Sequence, residues 1–217
     1  VSDYLTEIAE VSVRRVLALT FDHLVRRHGR PGGVGGEDTG FLVLGYGKLG
    51  GIELGYGSDL DLVFLHGGES MSAMTDGARA ISNQQLYARL GQRMIHMMTT
   101  QTPSGQLYEV DMRLRPDGNK GALVRSLKSF AEYQAADAWT WEHQALVRAR
   151  PVAGDAILAE RFAAVRREIL CREREVSTLR KAVREMREKM RANLDKTGDG
   201  RFDLKQGHGG IADIALM

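Results

Sequence analysis

The chain of 217 residues contains a single cysteine, Cys171, so no disulfide can form within it. A protein that folds without disulfides suits a reducing compartment, and we therefore expect a cytoplasmic location. Its purely apolar runs are only a few residues long, whereas a transmembrane helix needs roughly 20 such residues. The first residues also lack the basic segment and apolar block of a signal peptide. We expect no membrane partner.

The chain also lacks a strong charge of one sign, because 30 basic residues face 28 acidic ones, for a net charge of +2. So weak a charge does not indicate a protein that coats nucleic acid, and we expect no nucleic-acid partner. Hydrophobic residues make up 43% of the chain, which is enough for a sizeable core. The chain begins with Val1 and ends in Met217, and we expect it to be part of a longer protein.

Helical periodicity appears in three parts of the chain. Apolar residues three to four apart predict a helix over residues 3–28, and a second helix is predicted over 75–99, capped by Thr75 or Asp76. From residue 127 the pattern is helical almost to the end, with a break at 151–154 and a loop at 196–200.

Strands are predicted between these helical parts. Apolar runs indicate buried strands at 41–44 and 59–65, strict alternation indicates one at 107–114, and another is predicted at 122–124. The glycine-rich residues 45–57 contain one predicted helical turn around 50–54. The fold class is therefore α+β, with a small mixed sheet. We divide it into an N-terminal helix and loop (1–40), a core (41–126) and a helical region (127–217) that is partly packed on the core and truncated.

Two acidic residues, Asp59 and Asp61, stand at the start of a predicted strand. Residues two apart share a face of a strand, so both carboxylates point the same way. Like charges this close raise each other's pKa, and a fold that places them together usually supplies a cation such as Mg²⁺. The plainer interpretation makes Asp59 a cap and Asp61 an exposed strand residue. Their strongly apolar flanks argue against it, because a bare carboxylate is costly in a buried strand.

A third carboxylate, Asp111, lies on the polar face of the 107–114 segment together with Glu109 and Arg113. We expect Asp111 to join the acidic pair as a catalytic and metal-binding residue.

A glycine turn follows the first predicted strand. Gly45, Gly47 and Gly50 let backbone N–H groups approach a phosphate closely, and Lys48 and Ser58 are placed to contact its oxygens. A plain glycine-rich turn is the alternative.

The turn also matches the dinucleotide pattern G-x-G-x-x-G. That fold needs a long helix before the next strand, and the strand at 59–65 leaves too little chain for one. Leu49 after Lys48 rules out a Walker A loop.

Together, the turn and the pair resemble the nucleotidyltransferase superfamily related to DNA polymerase β. In that superfamily a glycine turn comes first, and Asp-x-Asp follows after about ten residues. A third carboxylate lies on a later strand. In this chain ten residues separate Lys48 from Asp59.

Longer blocks resemble one family within it, bacterial glutamine synthetase adenylyltransferase. They are residues 45–54 (GYGKLGGIEL), 58–64 (SDLDLVF), 108–116 (YEVDMRLRP), 139–150 (WTWEHQALVRAR), 184–190 (REMREKM) and 202–213 (FDLKQGHGGIAD). The block at 139–150 is similar to the C-terminal, adenylylating unit of that family. The family usually continues Asp-Ile-Glu-Phe, whereas Asp213-Ile is followed here by Ala-Leu-Met. If that glutamate serves the site, this chain would be impaired.

The resemblance implies a fold like that of DNA polymerase β and transfer of AMP from ATP to a tyrosine of glutamine synthetase, releasing pyrophosphate. Asp59, Asp61 and Asp111 would hold two magnesium ions, and Asp111 would help deprotonate the tyrosine. The regulators of the whole enzyme would be a PII-type signalling protein and glutamine.

Other residues in these blocks have less specific roles. Arg113 would bind phosphate, and Arg115 would do so or be solvated at a strand edge. Lys205 and Asp213 are candidates for contact with the site, whereas Glu53 reads as structural.

Three alternatives stay open. One is the deadenylylating unit of the same family, which releases ADP by phosphorolysis. The second is a nucleotidyltransferase with a nucleic-acid or small-molecule acceptor, and the third is a regulatory module that binds nucleotide without catalysis.

Overall fold

The computed structural model describes residues 1–35, 38–68, 72–198 and 200–215 and has an α+β fold. The helices in these residues are α1 (Ser2–His28), α2 (Gly47–Gly50), α3 (Asn83–Thr99), α4 (Leu127–Ala136), α5 (Thr140–Val147), α6 (Ala156–Leu170), α7 (Val176–Leu194) and α8 (Ile211–Ala215). The strands are β1 (Phe41–Gly45), β2 (Leu60–His66), β3 (Val110–Asp111), β4 (Val124–Ser126) and β5 (Arg150–Gly154). A short 3₁₀ turn covers Gly118–Lys120.

The five strands form one mixed sheet centred on β2. Strand β1 pairs antiparallel with β2 on one side and with β5 on the other. Strands β3 and β4 pair parallel with successive parts of β2, β3 with its start and β4 with its end. The start of β2 therefore has a neighbour on each side, which positions the residues at that end of the strand.

Strand β2 is buried on both faces. Leu60, Leu62 and Phe64 pack into a core formed with α1 and α3. Val63 and Leu65 pack into a second core, whose helical members include Phe130 of α4, Leu146 of α5 and Phe162 of α6. Burial on both faces explains why the strand reads as a continuous apolar run. The predicted strands at 41–44 and 59–65 and the predicted helix at 3–28 are all confirmed.

The predicted helix at 75–99 begins later than expected. Helix α3 starts at Asn83, and its cap is Ser82, whose hydroxyl accepts a hydrogen bond from the Gln85 amide. Thr75 instead closes a loop, because its hydroxyl accepts from the amide of Ile81 at 3.0 Å. Asp76 accepts from the amide of Arg30 at 2.7 Å, which ties this loop to the end of α1. Both candidate caps were therefore wrong.

Three shorter predictions also change. The alternating segment 107–114 contributes only Val110–Asp111 as a strand, because Asp111 turns the chain by accepting the amide of Arg113 at 2.8 Å. The strand expected at 122–124 is Val124–Ser126. The helical turn expected around 50–54 occurs earlier, at Gly47–Gly50.

The expected break between helices at 151–154 is strand β5. It pairs with β1 over Leu42–Gly45, so the sheet draws one strand from the region expected to be helical. The division at residue 126 therefore separates strands of a single sheet. No helix in the described part of the chain has the length and hydropathy needed to cross a membrane.

Candidate active site

Two of the three predicted carboxylates stand side by side in the sheet. Parallel pairing of β2 with β3 places Asp61 directly opposite Asp111. Asp59 precedes β2 by one residue and is exposed, whereas Asp61 is half-buried. Residues 50 positions apart in the chain thus meet because β3 adds to the edge of β2 at its first residues. The structure brings Asp59, Asp61 and Asp111 to one end of the sheet.

The electrostatics of this end are those of an acidic cluster. The pKa of Asp61 is raised from 3.8 to about 6, chiefly by burial and also by the negative charges of Asp59 and Asp111. The positive charges of Lys205 and Arg113 act in the opposite direction. The protein's own cations therefore do not compensate the charge on Asp61, and this carboxylate would gain from an added cation.

Gly47 provides the space that the Asp61 side chain occupies. The residue has φ of 51°, in the left-handed region, and a β-carbon there would lie 2.2 Å from Oδ2 of Asp61. The preceding amide, that of Tyr46, donates to the Asp61 carbonyl at 2.9 Å. The glycine turn and the acidic strand are therefore in direct contact.

Gly45 and Gly50, also predicted to bind phosphate, are glycines for a different reason. A β-carbon on Gly45 would lie 2.8 Å from Cγ of Leu49, and one on Gly50 would lie 1.9 Å from the Arg148 carbonyl oxygen. The protein itself fills the space on the side-chain face of both residues. They shape the turn by close packing, and Gly47 alone of the three faces the carboxylates.

The other predicted phosphate contacts lie around the same turn. Lys48 is exposed in α2, next to Gly47. Ser58 holds a tight turn instead, since its hydroxyl accepts from the amide of Gly55 at 3.1 Å while its own amide donates to the Gly55 carbonyl. Thus Lys48 is free to reach outward from the turn, and Ser58 stabilises the approach to Asp59.

Arg113 is bound to Asp111. Its Nε lies 2.7 Å from Oδ2 and 3.0 Å from Oδ1, and Nη2 lies 2.5 Å from Oδ2. These hydrogen bonds hold the pKa of Asp111 below its ordinary value. The Arg113 side chain is 73% exposed, so the pair lies at the open side of the site. Arg113 covers both oxygens of Asp111, and a cation bound there would have to replace it.

Three residues near the cluster make structural contacts. Arg115 donates to the carbonyls of Met112 at 2.6 Å and Gly121 at 3.3 Å, which closes the loop after β3. Glu53 pairs with Arg148 at 2.9 Å, in line with the structural role expected for it. Glu109 is exposed, and its carbonyl accepts the amide of Leu60 at the start of β2.

The C-terminal segment, residues 202–215, brings Lys205 toward the carboxylates. Its anchor is the buried Arg187 of α7, which pairs with Asp213 and donates to the Gln206 carbonyl at 2.7 Å. Asp213 thus fastens the segment to α7, while the charge of Lys205 acts on Asp61. The position of the family's usual glutamate, two residues after Asp213, is taken by alanine in this chain. Residues 216–217 lie outside the described part of the chain.

The donor set fits a hard divalent cation in its chemistry. Carboxylate oxygens are the ligands that Mg²⁺ prefers, and the cluster has excess negative charge at the half-buried Asp61. Among the described residues, no three His, Cys, Asp or Glu side chains form a ready-made metal-binding group. Because Arg113 donates hydrogen bonds to both oxygens of Asp111, the carboxylates left to bind a metal ion are those of Asp59 and Asp61.

Sequence reasoning missed Arg150, which lies behind the glycine turn. Its guanidinium donates to the carbonyls of Leu49 and Gly50 and also contacts Glu10 of α1. The residue ends the block at 139–150, which was the one available signal, although nothing in the local pattern links it to a turn 100 positions earlier.

Comparison with known proteins shows the family to which the chain belongs. The model of the family described as glutamate-ammonia ligase adenylyltransferase matches residues 1–165. The chain is 57% identical over 220 residues to a bifunctional glutamine synthetase adenylyltransferase/adenylyl-removing enzyme of Nitrosococcus oceani. Proteins of the same name from Pseudomonas syringae pv. tomato and Thioalkalivibrio sulfidiphilus are 56% identical over 231 residues and 57% identical over 222. Each similarity covers 100% of this chain and 23% of the relative's length.

Proposed function

The chain belongs to the glutamate-ammonia ligase adenylyltransferase family, and from this premise we propose that its acidic site transfers AMP from ATP to a tyrosine of glutamine synthetase. The observation that carries the proposal is the pairing of Asp61 with Asp111 across parallel strands, with the Asp61 carboxylate against Gly47. Glycine turn, paired aspartates and a third carboxylate are thus assembled at one end of a sheet, which is the arrangement that nucleotidyl transfer needs.

We extend the proposal to the fold, which we assign to the DNA polymerase β-like nucleotidyltransferases. One supporting feature is the order of the elements: the glycine turn, the strand that carries Asp-x-Asp, and a third carboxylate on a neighbouring strand. The other is that helices pack on both faces of β2. In that assignment β1, β2 and β3 form the catalytic part, and α1 and α3 cover the face opposite to α4 and α6.

Asp59 and Asp61 would hold magnesium, and Asp111 would complete a second site once Arg113 has left it. The bound metal would neutralise phosphate charge and stabilise the entering and leaving oxygens. The raised pKa of Asp61 supports this assignment, because a nearby cation would restore the charged form of that carboxylate.

The reaction is an in-line displacement at the α-phosphorus of ATP. The tyrosine oxygen forms a new bond to that phosphorus while the bond to the leaving pyrophosphate breaks. An unperturbed tyrosine has a pKa of about 10, so removal of its proton needs help at neutral pH. Asp111 is the proposed acceptor. Arg113 now keeps the pKa of Asp111 low, so we infer that transfer of Arg113 to a phosphate oxygen makes Asp111 more basic.

The glycine turn would bind the triphosphate. Gly47 keeps the space beside the carboxylates open, and the exposed ammonium of Lys48 would contact phosphate oxygens. Lys205 adds a second positive charge from the C-terminal segment. In the whole enzyme we propose regulation by a PII-type signalling protein and by glutamine, as the family resemblance implies.

The test is incubation of the intact natural protein with α-labelled ATP, Mg²⁺ and glutamine synthetase. Label should appear on a tyrosine of the synthetase and should be lost with Asp61→Asn. Asp22→Asn, an exposed position on α1, is the matched control and should retain transfer. Absence of transfer by the wild-type protein would overturn the proposal. A second reaction, with phosphate and adenylylated synthetase, distinguishes the opposite direction. ADP release that depends on Asp61 would reassign this site to deadenylylation.

A further inference from the structure

The glycine turn is held from behind by one arginine of β5. Arg150 Nε donates to the carbonyl of Gly50 at 3.1 Å, and Nη2 donates to that of Leu49 at 3.1 Å. Both carbonyls belong to the last residues of α2, where a helix leaves its carbonyls without partners inside the helix. The guanidinium therefore supplies charge-assisted hydrogen bonds at the end of the turn that is remote from Asp61.

A second charged residue holds Arg150 in place. Nη2 of Arg150 also pairs with Oε1 of Glu10 on α1. Only 28% of the Arg150 side chain and 18% of the Glu10 side chain are exposed, so water screens this pair less than a surface pair. The Arg150 guanidinium thus links helix α1 to the glycine turn by hydrogen bonds, in addition to the apolar packing between them.

Packing prevents the turn from moving closer to β5. Gly50 lies so near the segment before β5 that a β-carbon would stand 1.9 Å from the Arg148 carbonyl. Arg150 itself starts β5 opposite Gly45, the last residue of β1. The same short segment therefore limits the turn by contact at Gly50 and holds it by hydrogen bonds from Arg150.

We propose that Arg150 is a positioning residue for nucleotide binding, acting through the α2 carbonyls, and that Glu10 fixes its orientation. This inference rests on the proposed function of the site. Arg150 touches neither the carboxylates nor the face of Gly47 that meets Asp61. It sets where the backbone of Gly47 and Lys48 stands relative to Asp61, so its loss weakens the grip on the triphosphate more than it slows the chemical step.

Arg148 offers a matched control two residues away. It also reaches the turn, where Nη1 donates to Oε2 of Glu53 at 2.9 Å. Its side chain is 43% exposed and that of Glu53 is 50% exposed, and no bond to the α2 carbonyls is involved. A surface ion pair of this kind contributes little, so its removal should leave the turn in place.

The experiment measures AMP transfer to glutamine synthetase by the intact natural protein at varied ATP, and subtracts the rate of Asp61→Asn. Arg150→Lys and Arg150→Ala should raise KM for ATP roughly tenfold and leave kcat within about threefold, since about one charge-assisted hydrogen bond's worth of binding is lost. Glu10→Gln should raise KM in the same direction by a smaller factor. Arg148→Gln should change neither value by more than about twofold.

Guanidinium rescue distinguishes positioning from general destabilisation. Millimolar guanidinium should lower the KM of Arg150→Ala toward the wild-type value and should not alter Arg148→Gln. If Arg150→Ala does not fold, Arg150→Lys and Glu10→Gln decide the matter. If both of those variants keep the wild-type KM, with or without a loss of kcat, the inference is overturned. The proposed function would remain intact. No transfer by the wild type would overturn the proposed function and this inference with it.

Discussion

The Asp61 carboxylate lies against the α-carbon of Gly47, so closely that a β-carbon would stand 2.2 Å from Oδ2 and 3.1 Å from Cγ. Gly47 also adopts φ of 51°, which side chains other than glycine rarely do. Both facts concern one residue, and both require that it have no side chain. The contact couples the conformation of the glycine turn to the position of the acidic strand.

Gly47→Ala should therefore abolish activity, with at least a hundredfold loss of AMP transfer, because the methyl group and the Asp61 carboxylate cannot both keep their places. The left-handed backbone alone costs about 1 kcal/mol for alanine. Transfer rates and thermal unfolding measure the two effects. Gly33→Ala is the control, since Gly33 has φ of 78° but nothing within 4 Å of the added carbon. Gly33→Ala should lose only the stability that the left-handed backbone costs and should keep its transfer activity. Equal transfer activity in Gly47→Ala and Gly33→Ala would contradict this explanation.

Replacement of Arg187 should release the C-terminal segment from α7. Arg187→Met removes the pair with Asp213 and the hydrogen bond to the Gln206 carbonyl and leaves the buried part of the segment without its anchor. We expect amides between residues 206 and 213 to exchange at least tenfold faster by hydrogen exchange, and transfer to fall because Lys205 is no longer held near Asp61. Arg184→Met, exposed on the same helix, should leave exchange unchanged. Unchanged exchange in Arg187→Met would show that the segment is held by other contacts.

His66 should lower the stability of the protein as the pH falls from about 6.5 to 4, an effect opposite in sign to that of Asp61, whose raised pKa favours the folded state in this window. Burial lowers the pKa of His66 from 6.5 to about 4, and the ring stacks on Tyr87 with centroids 5.2 Å apart. In this window the unfolded chain binds the proton and the folded chain does not. The contribution of the neutral His66 ring to the free energy of unfolding is therefore complete above pH 6.5. It is lost as the pH falls toward 4, by at most about 1.4 kcal/mol per pH unit.

His66→Phe keeps an aromatic ring beside Tyr87 and removes the titrating group, so as the pH is lowered through that window its free energy of unfolding should fall less, or rise more, than that of the wild type. Urea unfolding at several pH values measures the slope. His23→Phe, at an exposed position on α1, is the control and should leave the wild-type slope in place. An unchanged slope in His66→Phe would show that His66 does not cause the acid sensitivity.

Ile52, at the end of the glycine turn, should be a point of strain. Its φ is 60°, in the left-handed region that β-branched residues avoid, and its side chain is 48% exposed. Ile52→Asn places a residue that tolerates this conformation and should stabilise the protein by about 1 kcal/mol, seen as a higher midpoint in urea. Ile157→Asn, exposed on α6, should bring no such gain. A lower midpoint for Ile52→Asn would mean that packing of the Ile52 side chain outweighs the backbone strain.

Local pattern was sufficient for much of this protein. The helix at residues 3–28, the buried strands at 41–44 and 59–65, and the position of Asp59 and Asp61 beside the start of a strand follow from apolar spacing. These features depend on neighbours a few residues away, and so the sequence by itself determined them. The acidic pair next to a glycine turn and the family resemblance likewise required no coordinates.

Tertiary structure alone decided how distant parts combine. Asp111 meets Asp61 because β3 pairs with β2 in one register, and a shift of one residue would turn it to the other face. Helix α3 begins at Asn83 because the residues before it are used to close a loop against the end of α1. Arg150 supports the glycine turn only because β5 inserts beside β1. Pairing, register and buried charge depend on contacts between remote residues, which periodicity along the chain does not record.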